Sequence, residues 1–404
     1  MAMEVPMQNI TSVATDTVAI GASDHRLSRF ENIFPIPNGV SYNSYVILDE
    51  KTVLIDTADL SIADQFLENL QEALGGKKLD FLVVQHVEPD HSSMIAEIVR
   101  EYPDVVLYCS KQAWMMINQF FPEIPVKDHV EIKEGDTLVT GNHTLHFVAA
   151  PMVHWPEVMV TYDDLTGVLF SADAFGTFGA VEGSVFADDH DFEREYLDDA
   201  RRYYANIVGK YGPQAGALLK KAAGLDIKTI CPLHGPVWRK DLGWFIGKYQ
   251  LWSSYTPESS DYLVVYSTLY GHTASAAQAC AAKIAEKTGR KVAVYDASET
   301  DCSYLISEVW RCGRIVLFCP TYNMGIYPKM ETFLNDMIAL NVQNRTFAVA
   351  ENGTWAPAAG KLTRAKLACL KNCTILEEGL TIRSALTEKD EGKLDAFVDA
   401  IVKE

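Results

Sequence analysis

Four side chains able to hold a metal ion stand within six residues, His86, Glu88, Asp90 and His91, in the stretch Gln-His-Val-Glu-Pro-Asp-His-Ser-Ser-Met over residues 85–94. Imidazole nitrogens and carboxylate oxygens in such density are the donor set of a transition-metal centre. The stretch follows the apolar run Phe81-Leu82-Val83-Val84, which reads as a buried strand, and Pro89 reads as a break that forbids helix between the donors. A strand end of this kind delivers its side chains into one small volume. The plain alternative is a polar strand-to-helix turn with Asp90 as its cap.

The same design recurs further along. His154 follows Ala149-Ala150-Pro151-Met152-Val153, Asp173 follows Val168-Leu169-Phe170-Ser171-Ala172, and His234 follows Thr229-Ile230-Cys231-Pro232-Leu233. Taken singly, each histidine would serve as well in a structural hydrogen bond. It is the shared placement, one ligand-capable residue after each apolar strand, that points to a common centre. His143 and His146 lie three apart on an expected strand and so face opposite sides. His25, His129 and His190 lie in polar surroundings.

A second constellation begins at Ser267-Thr268-Leu269-Tyr270-Gly271-His272-Thr273, where an apolar strand turns into an expected helix. Hydroxyls, a glycine and backbone N–H groups at a helix start cradle phosphate without a lysine. The loop has neither the G-x-G-x-x-G of dinucleotide sites nor the G-K-[ST] of a P-loop, so a monophosphate fits it better. Cys319-Pro320-Thr321-Tyr322-Asn323-Met324-Gly325 and Glu351-Asn352-Gly353-Thr354-Trp355 also follow apolar strands and bring aromatic rings to the same edge, where a planar ligand would stack.

The elements that must position these groups fall into two sets. Before residue 256 the pattern predicts strands around the turn Asp49-Glu50-Lys51 within 40–57, a helix over 61–74 stopped by Gly75-Gly76, and a helix over 92–102. A strand over 105–109 and a helix over 112–120 follow. Strands over 137–139, 143–149, 158–162 and 168–171 come next, then a helical region over 191–224 and a strand before His234. This is a mixed α+β layer. After the connector Tyr255-Thr256-Pro257-Glu258-Ser259-Ser260-Asp261, strand and amphipathic helix alternate strictly to the C-terminus, the pattern of a doubly wound parallel sheet that binds ligands beyond its strands' carboxyl ends.

At 404 residues two domains are expected, and 48% hydrophobic residues suit a globular chain. A net charge of −19 excludes nucleic acid as an obvious partner. No run approaches the ~18 apolar residues of a membrane span. The opening Met-Ala-Met-Glu-Val-Pro-Met-Gln has no basic or apolar export signal, so a cytoplasmic protein is expected, with its eight cysteines reduced. None of them forms a C-x-x-C pair.

With these motifs the chain resembles the flavodiiron proteins, or A-type flavoproteins, from about Ala14 onward. The resemblance implies a metallo-β-lactamase-like αββα di-iron domain over 1–256 and a flavodoxin-like FMN domain over 257–404. It implies that His86, Glu88 and His154 hold one iron, that Asp90, His91 and His234 hold the other, and that Asp173 bridges them. It further implies that Ser267, Thr268, Gly271, His272 and Thr273 hold the FMN phosphate, with Pro320, Thr321, Tyr322 and Asn323, and Asn352, Gly353, Thr354 and Trp355, around the ring. The family usually has Asn where His272 stands.

Hydrolases of the same superfamily carry H-x-H-x-D-H and bind zinc. Glu88 in the middle position, with Asp173 between the metals, adds the anionic oxygen donors that suit redox iron. The implied function is electron transfer through FMN to a non-haem di-iron centre that reduces dioxygen to water, nitric oxide to nitrous oxide, or both. A reduced flavin and a diferrous pair together hold the four electrons that carry dioxygen to two waters. Two electrons couple two molecules of nitric oxide. The family also implies a head-to-tail homodimer, or a dimer of such dimers, and an external donor, either a rubredoxin-like protein or a reduced deazaflavin. Trp355 either gates that donor or shields the ring. His25, Tyr42, Tyr45 and Trp155 are candidates for tuning the choice of gas. The alternatives are a di-zinc hydrolase fused to a flavodoxin-like domain, and a non-catalytic flavin redox carrier.

Overall fold

The computed structural model describes residues 9–403, so the opening octapeptide lies outside the described residues. The chain divides into two compact units, one running through Tyr204 and resuming over Pro213–Gln250, the other made of Ala205–Gly212 and the chain from Leu251 onward.

The first unit is built on two sheets. The seven-stranded sheet runs, edge to edge, Thr11–Ala14, Thr17–Ala19, Tyr45–Leu48, Thr52–Ile55, Phe81–Val84, Val106–Ser110 and Asp128–Ile132. Its last four strands are parallel. The five-stranded sheet runs Thr137–Val139, Thr144–Ala149, Met159–Asp163, Val168–Phe170 and Thr229–Cys231, antiparallel until its final parallel pair. Tyr45, Ile47, Val53, Ile55 and Val83 of one sheet meet Leu145, Phe147, Met159, Phe170 and Cys231 of the other in a single buried cluster. Each large apolar side chain buried there contributes about 1.5–3 kcal/mol.

Helices cover the seven-stranded sheet. Ala63–Leu74 buries Phe66, Leu70 and Leu74, spaced one turn apart, and stops where Gly75 turns left-handed at φ 55°. This is the αββα layering expected for the di-iron half.

The second unit is a parallel sheet in the strand order 2-1-3-4-5, made of Val292–Asp296, Ser259–Tyr266, Cys312–Tyr322, Thr346–Asn352 and Thr374–Ile382. Helices His272–Thr288, Cys302–Arg311, Pro328–Ala339, Ala359–Leu367 and Glu391–Val402 alternate with the strands. This is the doubly wound, flavodoxin-like order. The last strand runs on to Ile382 past an irregularity, its pairing passing from Ile375 to Gly379 around Leu376, Glu377 and Glu378.

Three features depart from the reading of the sequence. Pro89 does not forbid helix; it opens the short helix Pro89–Ser92 at its first position, where no N–H is needed. The edge strand Asp128–Ile132 was not anticipated, since only Ile132 of its five residues is buried. The helix Leu242–Ser253 went unread because it is apolar almost all round and carries two glycines, so no single stripe marks it. Among the described residues no helix is long and apolar enough to cross a membrane.

Candidate functional site

The strand Phe81–Val84 sits inside its sheet, and its carboxyl end hands His86 and Glu88 to one place. The backbone there is pinned by buried Asp56, held at φ 53°, whose Oδ1 accepts the N–H of Gln85 at 2.7 Å and whose Oδ2 accepts the Gln85 amide at 2.9 Å. Burial pushes the Asp56 carboxyl up to about 6. The helix opened by Pro89 then turns Asp90 and His91 back toward the same place. Thr57 anchors that turn, its hydroxyl and N–H both donating to the His91 carbonyl at 2.6 and 3.0 Å.

All seven sequence-predicted metal donors come together, in two groups: His86, Glu88, His154 and Asp173, and Asp90, His91 and His234, with donor atoms inside each group no more than 4.8 Å apart. Asp173 faces both. Its Oδ2 lies 3.2 Å from His86 Nε2 and 3.2 Å from His154 Nε2, while its Oδ1 lies 3.3 Å from His91 Nε2 and 3.8 Å from His234 Nε2. Glu88 Oε2 closes the first group at 2.9 Å from His154 Nε2 and 3.2 Å from His86 Nε2. Asp90 Oδ2 closes the second at 3.2 Å from His234 Nε2 and 3.3 Å from His91 Nε2.

The loop around Asp173 is strained in a way that holds this pose: Ala172 and Phe175 have φ of 49° and 67°. A Cβ at Gly176 would sit 2.9 Å from the Tyr203 ring and 3.1 Å from the Asp173 carbonyl, so only glycine fits.

The donor set fits a pair of cations. His234 donates its Nδ1–H to the Ser41 carbonyl at 2.7 Å, which leaves Nε2 as the lone-pair nitrogen of the neutral ring. That Nε2 stands 3.1 Å from His91 Nε2, and both carboxylate oxygens of Asp90 are buried without a hydrogen-bond partner among the described residues. Lone pairs and carboxylates turned on one another in a dry pocket require positive charge between them. The protonation of the cluster reflects the same demand. Burial works against the imidazolium of His86, yet Asp173, Glu157 and Glu88 hold it well above its ordinary range. Burial likewise works against the carboxylate of Asp173, yet His86 and His154 hold it well below.

Several neighbours had no signal in the sequence. Glu157, buried, accepts from His86 Nδ1 at 2.8 Å and from the Val87 N–H at 3.0 Å. Tyr203 is fully buried, packs its ring 5.5 Å from that of His234, and has a hydroxyl without a hydrogen-bond partner among the described residues. Burial and the negative charges of Asp173, Asp90 and Glu88 raise its phenol well above the ordinary range. Phe30 stands edge-on to His234 at 5.2 Å. Next to it, loss of solvent and the charge of Glu88 push the Glu31 carboxyl up to about 8. A mouth of about 520 Å³, lined by Phe30, Glu31, Tyr42, Glu88 and Asp90 among others, opens here.

Of the four candidates for tuning the site, Tyr42 and Trp155 touch it, at 5.7 Å from the His234 ring and 5.3 Å from the His86 ring. Tyr45 acts one step back, donating its hydroxyl to the Pro232 carbonyl at 2.7 Å. His25 is exposed on the loop after Ala22–Asp24. The remaining histidines bond elsewhere: His143 to Asp163, His146 to Asp164, and His190 to the Ser184 carbonyl, while His129 stacks on Trp114 at 3.9 Å. No disulfide joins any of the eight cysteines among the described residues.

In the second unit a cleft of about 610 Å³ opens at the carboxyl ends of the strands. Thr268, His272, Thr273, Pro320, Thr321, Tyr322, Asn323, Asn352, Gly353, Thr354 and Trp355 line it, as the sequence predicts. Ser267 and Gly271 lie behind the lining. Ser267 Oγ is buried without a hydrogen-bond partner among the described residues, and Gly271 caps the helix His272–Thr288 at φ 93°. Asn352 braces the cleft by donating to Thr273 Oγ1 and to the carbonyl of Ser384, a lining residue that the sequence did not mark. Trp355 and Tyr270 are 83% and 91% exposed.

Residues 40–235 match the family model described as ODP family beta lactamase, and residues 264–382 match the flavodoxin model. A nitric oxide reductase of Moorella thermoacetica is 30% identical over 370 residues, covering 90% of this chain and 91% of the relative. Among solved structures, the rubredoxin oxygen:oxidoreductase of Desulfovibrio gigas superposes with a TM-score of 0.89 at 26% identity, covering 98% of each chain. A variant of the flavo-diiron protein of Thermotoga maritima gives a TM-score of 0.88 at 25% identity, covering 98% of this chain and 99% of the other.

Proposed function

This chain belongs to the flavodiiron protein family, and from that premise we propose that it is an oxidoreductase that passes electrons through FMN to a non-haem di-iron centre, reducing dioxygen to water, nitric oxide to nitrous oxide, or both. The observation that carries the reading is Asp173, with one carboxylate oxygen turned to each group of donors. His86, Glu88 and His154 would hold one iron, Asp90, His91 and His234 the other, with Asp173 serving both groups. The di-iron domain spans 1–256 and the FMN domain 257–404, the strand Ser259–Tyr266 opening within the polar connector, while Ala205–Gly212 and the residues from Leu251 to the connector pack with the second unit.

When bound, the flavin and the iron pair supply the electrons and the binding of the gas. The protein's part is positional and protonic. Glu157 and the Ser41 carbonyl accept hydrogen bonds from the Nδ1–H groups of His86 and His234 and so turn their Nε2 atoms inward. Phe30, Phe178 and Tyr203 form a packed aromatic wall that excludes water from the His234 side. The Tyr203 phenol keeps its proton throughout the working range and presents it as a donor beside Asp173 and Asp90. At the flavin site, Ser267, Thr268, Gly271, His272 and Thr273 would hold the phosphate, with Tyr322 and Trp355 among the residues that would hold the ring.

The electrons come from a separate donor, a rubredoxin-like protein or a reduced deazaflavin. A structural relative is itself named for oxidising rubredoxin, and this chain has no C-x-x-C pair of its own. A head-to-tail homodimer, or a dimer of such dimers, sets the flavin of one subunit against the irons of the other, and the exposed rings of Trp355 and Tyr270 at the cleft suit such a contact. A monomer that keeps full turnover would contradict it. Cysteines without disulfides suit a reducing, cytoplasmic setting.

Metal and flavin content decides between this reading and a di-zinc hydrolase. Protein expressed with iron supplied should hold two irons and one FMN per chain. Two zincs, no iron and activity on an ester or lactam would reject the reading.

A further inference from the structure

The phosphate end of the flavin cleft is short of positive charge. Among the residues lining the cleft the only titratable side chains are Tyr270, His272 and Tyr322. Two features nevertheless mark an anion site. The helix His272–Thr288 is long enough to present its first N–H groups and the positive end of its dipole, and the buried Ser267 hydroxyl beside it has no hydrogen-bond partner among the described residues. His272 is the first residue of that helix, exposed at the cleft.

We propose that His272 is the residue by which this cleft selects phosphorylated over unphosphorylated flavin, its imidazolium supplying the one cation at the phosphate, so that the preference for FMN over riboflavin grows as pH falls. This rests on the FMN reading above and deepens it.

The charged groups around the cleft are engaged elsewhere. Arg383, which is not among the lining residues, donates to the Trp355 carbonyl. Glu351 accepts from the Gly360 N–H and the Thr381 hydroxyl, and Asp296, at the neighbouring strand end, accepts from the Ser298 N–H. On the helix Glu391–Val402, packed along the same helix as His272, Asp395 and Asp399 pair with Lys283 and Lys287, three and four turns away from its start. His272 is therefore the group free to answer a phosphate.

The sign follows from linkage. An imidazole ordinarily titrates near ~6.5, and a bound phosphate raises that value. The gain in affinity is fully present below the free value and is lost as pH rises through the bound one. The phosphate's own second proton leaves near ~6, an effect common to any variant of the protein and removed by comparison at equal pH.

The test is a titration of the flavin-stripped full chain with FMN and with riboflavin, followed by flavin fluorescence at pH 6.5 and 9, for the wild type, His272→Asn and His272→Arg. At pH 6.5 the wild type should bind FMN about tenfold more tightly than His272→Asn, and at pH 9 equally, a tenfold margin being typical of one charge-assisted contact. Riboflavin should bind all three alike, and His272→Arg should keep its FMN advantage at both pH values. An FMN margin independent of pH, or a riboflavin margin equal to that for FMN, would overturn the proposal. Failure of every form to bind FMN would overturn the FMN reading itself, and the proposal with it.

Discussion

Glu157 accepts the Nδ1–H of His86 at 2.8 Å, and this one contact decides which nitrogen of the ring faces Asp173. The same carboxylate oxygen accepts the Val87 N–H, so ring and backbone are set together. Outer partners of this kind typically change metal affinity or activity about 10–100-fold. Glu157→Gln should therefore keep the fold by far-ultraviolet circular dichroism while losing iron to a chelator about tenfold faster, and Glu157→Ala should lose it faster still. Chelator release kinetics equal to wild type in both would show that the contact does not orient the ring.

Asp173 serves both groups of donors, so its loss should not be confined to one metal. Asp173→Ala should hold well under two irons per chain and lose nitric oxide and dioxygen consumption by more than the ~100-fold expected for an outer partner. Retention of one full iron equivalent with half the activity would mean that the two groups act independently.

Tyr203 makes no ion pair with either group of donors, yet its ring packs 5.5 Å from that of His234 and its phenol feels the charges of Asp173, Asp90 and Glu88. Tyr203→Phe should bind iron and FMN normally and turn over about 100-fold more slowly, the lower end of what a positioned proton donor provides. Because burial and three carboxylates raise the phenol far above neutrality, the wild-type rate should show no acid limb or neutral-range step from this group. Unchanged turnover in the phenylalanine variant would leave the hydroxyl as packing alone.

Away from the centre, buried His143 donates to Asp163 at 2.9 Å. The hydrogen bond to Asp163 raises the imidazole above its ordinary range against burial, while burial of the Asp163 carboxyl is outweighed by His143 and Thr166, which hold it below. A raised histidine contributes stability that is present below ~6.5 and lost as pH rises through its folded value. A lowered carboxyl contributes stability that is present above ~3.9 and lost as pH falls through its folded value. Thermal melts should thus show His143→Asn destabilised by about 1.5–3 kcal/mol at pH 6 and by less at pH 9, as for a charge-assisted hydrogen bond. A difference that is constant over this range would mean the pair is neutral.

What could be read from the sequence was whatever local pattern dictates. His86, Glu88, Asp90 and His91 share one strand end, and His154, Asp173 and His234 each follow an apolar run, so strand geometry alone places them at element termini. The alternation after residue 257 maps directly onto a parallel sheet, since helices must cover both faces of it. Glu157 and Tyr203 could not be read in this way. Glu157 lies only three residues past His154 and Tyr203 ends a helix that carries no donor, and nothing in Trp155-Pro156-Glu157 or in the tyrosine pair Tyr203-Tyr204 marks which side chain turns inward. Pro89 was misjudged for a related reason: its ring blocks a helix interior but suits a helix start, and only the chain beyond it decides which applies.

The central claim is that flavin and metal centre act in series on a diatomic gas, and anaerobic single-turnover mixing tests it most directly. Iron-replete, FMN-loaded protein, reduced without oxygen under one electron donor, is mixed with nitric oxide or with dioxygen while gas consumption and flavin absorbance are followed together. The account predicts that the gas disappears as the flavin reoxidises, and that Asp173→Ala, with its flavin equally reduced, does neither at a comparable rate. Flavin reoxidation and gas consumption at the wild-type rate in that variant would place the chemistry at the flavin alone and contradict the account.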